Sequence, residues 1–116
     1  MTARGYASFY DAAVQGIVTN RPGKAALVEM LLRTLIYGEN PLRYVAARAL
    51  DEVATSLDDA QRVQLWQHCD RLVQQSQLFQ LSNLDVEALE ALRATLLPLL
   101  PPAALQGAQR GKGTLP

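Results

Sequence analysis

Along the first hundred residues, apolar side chains recur at helical spacing rather than in alternation. Tyr6, Phe9, Tyr10, Ala13, Val14 and Ile17 fall at i, i+3, i+4, i+7, i+8 and i+11, one face of a first helix. Gly16 sits inside that helix at a cost of about 1 kcal/mol relative to alanine, which is the expected signature of a close helix contact. "TNRPG" then interrupts the pattern, with Asn20 as a cap and Pro22 suited to the first turn of a new helix. The second helix, 22–37, carries Leu27, Val28, Leu31, Leu32, Leu35 and Ile36 with Met30 beside them. So wide an apolar arc predicts contact on more than one side and makes this the expected central helix. Glu29 and Arg33 form an i, i+4 pair on its polar strip. Gly38 is placed to end it in a left-handed cap.

"ENP" restarts the chain at once, with Asn40 as cap and Pro41 at the first helical position. Leu42, Val45, Ala46, Ala49, Leu50, Val53 and Leu57 then trace a narrow third stripe, alanine-rich at its middle, which lets a neighbouring helix approach closely. Ser56 or Asp58 caps a fourth helix over 59–78, with Val63, Trp66, Cys69 and Val73 on one face and Leu65 and Leu72 widening it. Ser82 or Asn83 caps a fifth, in which Asp85 and Glu87 complement the helix dipole and Val86, Leu89, Leu92, Leu96 and Leu97 form the stripe. Pro98, Pro101 and Pro102 end it. The expectation is an all-α fold, a compact bundle of about five helices in antiparallel hairpins over 1–102, followed by a flexible tail over 103–116.

A helix ending in glycine, a turn containing "NP" and a helix "LRYVAARALDEVA" together resemble a HEAT-type repeat, in which an arginine precedes a V-x-A-A-x-A-L-x-x-V pattern. Arg43, Val45, Ala46, Ala47, Ala49, Leu50 and Val53 occupy the comparable places. The resemblance covers roughly 24–57. The next pair, roughly 59–100, lacks the Pro and Arg landmarks and reads as a degenerate unit. What the resemblance implies is HEAT-like stacking of helical hairpins and a role in binding other proteins.

Composition narrows the functional classes. The chain has 116 residues, 49% of them hydrophobic, a single-domain length with ample apolar content for one core. Nine Arg and two Lys balance eleven acidic residues, so bulk electrostatics does not drive it onto nucleic acid or an anionic membrane. One cysteine, Cys69, permits no intrachain disulfide, and the N-terminus has no signal-peptide pattern, so a cytoplasmic location is expected. No stretch reaches the roughly 18 unbroken apolar residues of a membrane span, and no membrane insertion is expected.

Chemistry-bearing motifs are few. "QHCD" holds the single His and the single Cys, but His68 and Cys69 are adjacent and point about 100° apart on a helix. That spacing suits neither a metal pair nor a cysteine activated by its neighbour. Asp51 with Glu52 and Asp58 with Asp59 read as solvated or capping acids. "GKG" at 111–113 lies in the tail with no helix after it to hold a phosphate. No catalytic, cofactor-binding or metal-binding residue is assigned, and no cofactor is expected.

Recognition is the remaining class. Helix four presents Gln61, Gln64, Gln67, Gln74, Gln75 and Gln77, a polar face that is cheap to desolvate. Tyr6 and Tyr10 lie on the first stripe and are expected in the core, whereas Tyr44 lies between Leu42 and Val45 and is expected to be partly exposed. The reading is a non-enzymatic interaction, adaptor or assembly module whose helix-three and helix-four surface binds a protein partner or a second copy, as a homodimer or larger oligomer. Its contacts are Arg43, Tyr44, Arg48, Gln64, Gln67 and Gln74. Two alternatives stand beside it: a nucleic-acid-binding helical domain using Arg43, Arg48 and the tail residues Arg110 and Lys112, and a small enzyme using Cys69 or His68.

Overall fold

The structure, a computed structural model, describes residues 3–19, 23–38 and 42–106. The five expected helices form as α1 (Ala3–Val18), α2 (Lys24–Tyr37), α3 (Leu42–Glu52), α4 (Asp59–Gln74) and α5 (Asn83–Leu96), with 3-10 turns at Ala54–Ser56 and Leu97–Leu99. No strand occurs among the described residues, and the fold is an all-α bundle. The expected landmarks Asn20, Pro22, Asn40 and Pro41 lie outside the described residues, as do 107–116.

The helix starts that are described follow their sequence signals. Asp58 caps α4 through a reciprocal capping box: its Oδ1 accepts from the Gln61 backbone N–H at 2.7 Å, and Gln61 Oε1 accepts from the Asp58 N–H at 3.0 Å. Ser82 caps α5, its Oγ accepting from the Asp85 N–H at 3.2 Å. Helix ends depart from expectation more often. Helix α3 stops at Glu52 and passes into the 3-10 turn, although Val53 and Leu57 stay buried as their place in the stripe requires. Helix α4 stops at Gln74 rather than 78, because turns over 75–80, with Gln80 at φ 55°, bring Phe79 and Leu81 back against the core. A helical turn at 102–106 occupies the beginning of the expected tail.

The glycines exchange roles. Gly38 ends α2 in extended conformation, φ −71° and ψ 161°, while Gly23 before α2 is the left-handed one at φ 96°. Gly38 is needed for a different reason: a Cβ there would collide with the Thr34 carbonyl, which accepts the Gly38 N–H. At Gly16 a side chain would overlap Leu27 Cδ1, so a close helix contact is present at this residue, and its partner is α2.

Packing makes α3 the central helix, in place of α2. It packs against α2, α5 and α1, whereas α4 packs chiefly on α5 and touches α2 only lightly. Two hairpins, α2–α3 and α4–α5, therefore stack through α3 on α5, and α1 packs against both α3 and α2. The apolar width of α2 misled because Met30 and Ile36 are not buried in the core. What admits three neighbours to α3 is small side chains: Ala46, Ala47 and Ala49 are each no more than 1% exposed. On α4 the core face runs through Leu65, Cys69 and Leu72, with Trp66 and Val73 at its margin.

Candidate interaction surface

Helix α3 is an eleven-residue segment with five buried positions, and what it leaves to solvent is the row Tyr44, Arg48, Glu52 at i, i+4 and i+8. Helix α1 lies alongside and brings Tyr6, Ala7 and Tyr10, also at i to i+4 spacing, to the same side. Together Tyr6, Ala7, Tyr10, Tyr44, Val45 and Arg48 line an open groove of about 260 Å³. Small residues, Ala7 and Val45, sit among the three rings. The Tyr10 hydroxyl donates to the Glu52 carboxylate, which fixes that ring and engages the acid one turn beyond Arg48.

Among the described residues Arg48 has no hydrogen-bond or ion-pair partner. Among the arginines whose side chains are described it is alone in this, and the engagements of the others show how this sequence uses its cations. Arg43 Nε donates to the Leu35 carbonyl at 2.9 Å and its Nη2 to the Ile36 carbonyl at 3.4 Å. Arg62 donates to the carbonyls of Leu57 at 2.5 Å and Leu99 at 3.3 Å, joining the α3–α4 connection to the chain after α5. Arg93 pairs with Asp70 at 2.8 Å across α4 and α5, and Arg33 with Glu29 at 3.1 Å. Arg71 lies 3.4 Å from His68 Nδ1. Lys24 donates to the Ser56 carbonyl at 2.6 Å.

The expected contact residues therefore separate. Tyr44, 36% exposed, and Arg48 are on the groove. Arg43 is not on a surface: it is 8% exposed and closes the end of α2, because its position falls on the stripe Arg43, Ala47, Leu50 that α3 turns inward and that Ala54 continues in the 3-10 turn. Gln64, Gln67 and Gln74 are exposed on α4, which is not packed beside α3, so the expected helix-three and helix-four surface is not continuous. Gln64 lines a second groove of about 480 Å³ between α2 and α4, with Glu29, Leu32, Arg33, Ile36, Tyr37 and His68. Gln74 donates to Asp70 at 3.0 Å, and Gln61 is spent in the capping box. Tyr6 and Tyr10, expected in the core, are half-buried at its edge. Both belong to the apolar stripe of α1, and no local pattern distinguishes the edge of that stripe from its centre.

The cations of the nucleic-acid alternative do not come together among the described residues: Arg43 is engaged at the end of α2, Arg48 stands by itself on α3, and Arg110 and Lys112 lie outside the described residues. Cys69 is fully buried, and burial, partly offset by Arg93, pushes its thiol up to about 12. It stays a thiol at neutral pH, which makes it a poor nucleophile. His68 is held below its ordinary value of 6.5, first by partial burial and then by the Arg71 charge. The unfolded chain thus takes up a proton at that site before the folded one does. Stability is expected to fall as pH drops below about 6.5 through the lowered folded value, with no contribution above it. His68→Gln should flatten that limb when urea midpoints are compared between pH 7.5 and 5.5, and equal slopes in both proteins would refute the assignment.

Among the described residues no three His, Cys, Asp or Glu side chains come together as a metal site, and no helix is long and apolar enough to cross a membrane. Fold and surface together define a small all-α domain of stacked helical hairpins with a tyrosine-lined groove at one side. The chain matches no protein family, no curated protein and no solved structure.

Proposed function

We propose that this chain is a non-enzymatic protein-interaction or assembly module, an adaptor-like domain, and that it contacts its partner through the α1/α3 face. The observation that carries the reading is Arg48, unpaired beside Tyr6, Tyr10 and Tyr44 in an open groove. Tyrosine and arginine are the residue types that dominate contact energies, because each adds a large rigid area and directed donors at modest entropic cost. The proposal includes a cytoplasmic setting, in keeping with a single buried, unpaired cysteine.

The architecture supports the same reading. Two hairpins stacked with a tight α3–α5 layer and a looser α2–α4 layer have the arrangement expected of HEAT-like units, and the arginine of the HEAT-like pattern, Arg43, is the residue that closes the first helix of its hairpin. We include HEAT-like stacking in the proposal on those two grounds.

Affinity capture from the native cell, quantified against two double variants, tests it. Tyr44→Ala with Arg48→Ala should remove the captured protein while the far-ultraviolet circular dichroism stays that of the parent, since both side chains are at the surface. Gln67→Ala with Gln74→Ala should leave capture unchanged. The reverse pattern would return the contact to α4 and refute the α1/α3 assignment. Light scattering on the purified chain separates the case in which the captured protein is a second copy.

A further inference from the structure

We infer that the α1/α3 groove receives a peptide segment of its partner that presents a bulky apolar side chain with an aspartate or glutamate within about one helical turn of it. The inference rests on the interaction reading above and adds the partner's chemistry. At about 260 Å³ the groove is smaller than the roughly 300–1,000 Å³ that encloses a small-molecule ligand, and it is open along its length. It suits one large side chain entering from outside between the rings, over Ala7 and Val45. The rings themselves contribute both apolar faces and hydroxyl groups.

The requirement for an acid comes from Arg48. Glu52 lies one turn along, but an arginine preceding a glutamate at i, i+4 is the weaker order of such pairs, and the Glu52 carboxylate already accepts the Tyr10 hydroxyl. The guanidinium remains at the groove with its planar set of donors unmatched, a geometry complementary to a carboxylate accepting two parallel bonds. A phosphate backbone fits less well. Binding nucleic acid requires several cations, and this face has one described free cation, with Asp11 exposed on α1 and Glu52 on α3.

Selection of a random twelve-residue phage-displayed library on the full-length chain tests the inference, followed by fluorescence polarisation with the consensus peptide. The expected consensus pairs Leu, Ile, Phe, Met or Trp with Asp or Glu at one to four residues' separation. Its affinity should fall about tenfold or more both for Ala7→Trp, which fills the groove, and for Arg48→Glu. A peptide with lysine in place of the acid should regain binding to the Arg48→Glu chain. Consensus peptides that need an open groove but bind Arg48→Glu unchanged would overturn the acidic-segment inference and leave the interaction reading intact. Absence of any enriched peptide, or tighter binding of a fluorescent oligothymidine than of every selected peptide, would overturn the inference. If the Tyr44 and Arg48 variants also captured the native partner as well as the parent does, the interaction reading would fall with it.

Discussion

Leu50→Ala is expected to lower the unfolding free energy by about 3–5 kcal/mol. Leu50 is fully buried on α3, the one helix that packs against α1, α2 and α5 together, so the space it vacates is bounded on several sides by elements already held in place. Such a site collapses poorly, and the loss contains a cavity contribution as well as the lost transfer free energy of the side chain. Against a total stability of about 5–15 kcal/mol for a domain of this size, that is a large fraction. Leu84→Ala is the natural comparison, because Leu84 is 63% exposed on α5 and should change stability by no more than about 0.5 kcal/mol. Urea unfolding of the two variants measures the contrast, and equal losses would mean that α3 is not the centre of the core.

Arg43→Ala is expected to cost about 2–4 kcal/mol, for a reason that has nothing to do with a binding surface. The last turn of α2 leaves carbonyl oxygens without helical partners. Thr34 O is satisfied by the Gly38 N–H, Leu35 O by Arg43 Nε and Ile36 O by Arg43 Nη2. Removing the guanidinium orphans two of these acceptors in a place that water reaches poorly, and it also removes a cation from the negative end of the helix dipole. Arg43→Met, which retains most of the packing of the aliphatic stem, should recover only part of the loss. Arg43→Lys should recover more, since one ammonium can reach one carbonyl. If all three variants were as stable as the parent, the closure of α2 by Arg43 would be wrong.

These two residues also show where the sequence was legible and where it was not. The helices were readable because capping residues such as Asp58 and Ser82 stand before strongly periodic segments, and local hydrogen bonds decide such starts. The order of packing was not readable, because it depends on how many neighbours a helix admits. The apolar arc of α2 is wide, but the alanines of α3 are what let three helices converge. Arg43 was misplaced for a related reason. A polar residue counts as solvent-facing in a hydrophobic pattern, although its register with Ala47, Leu50 and Ala54 marked it as inward. Helix ends that depend on tertiary return of the chain, as at 75–80 where Phe79 and Leu81 fold back, leave no local stop signal.

The candidate surface was half legible. Tyr44 and Arg48 follow from their phase on α3, but the groove needs α1 beside α3 to bring Tyr6 and Tyr10 to them, and no local pattern specifies that neighbour. The glutamines do not adjoin the exposed row of α3 because α4 packs chiefly on α5. Asp85 was read as a first-turn acid for the dipole of α5, and it does stand there. It is also 1% exposed with its Oδ2 unpartnered, a burial that helix phase alone did not separate from an ordinary solvated cap.

The central claim is that the α1/α3 face is where this protein meets its partner, and site-specific photo-crosslinking tests it most directly. A photoreactive phenylalanine placed at position 44, and separately at position 74, is irradiated in the cells that make the protein. The account predicts a discrete adduct from position 44 and none from position 74. An adduct from position 74 with position 44 silent would contradict it.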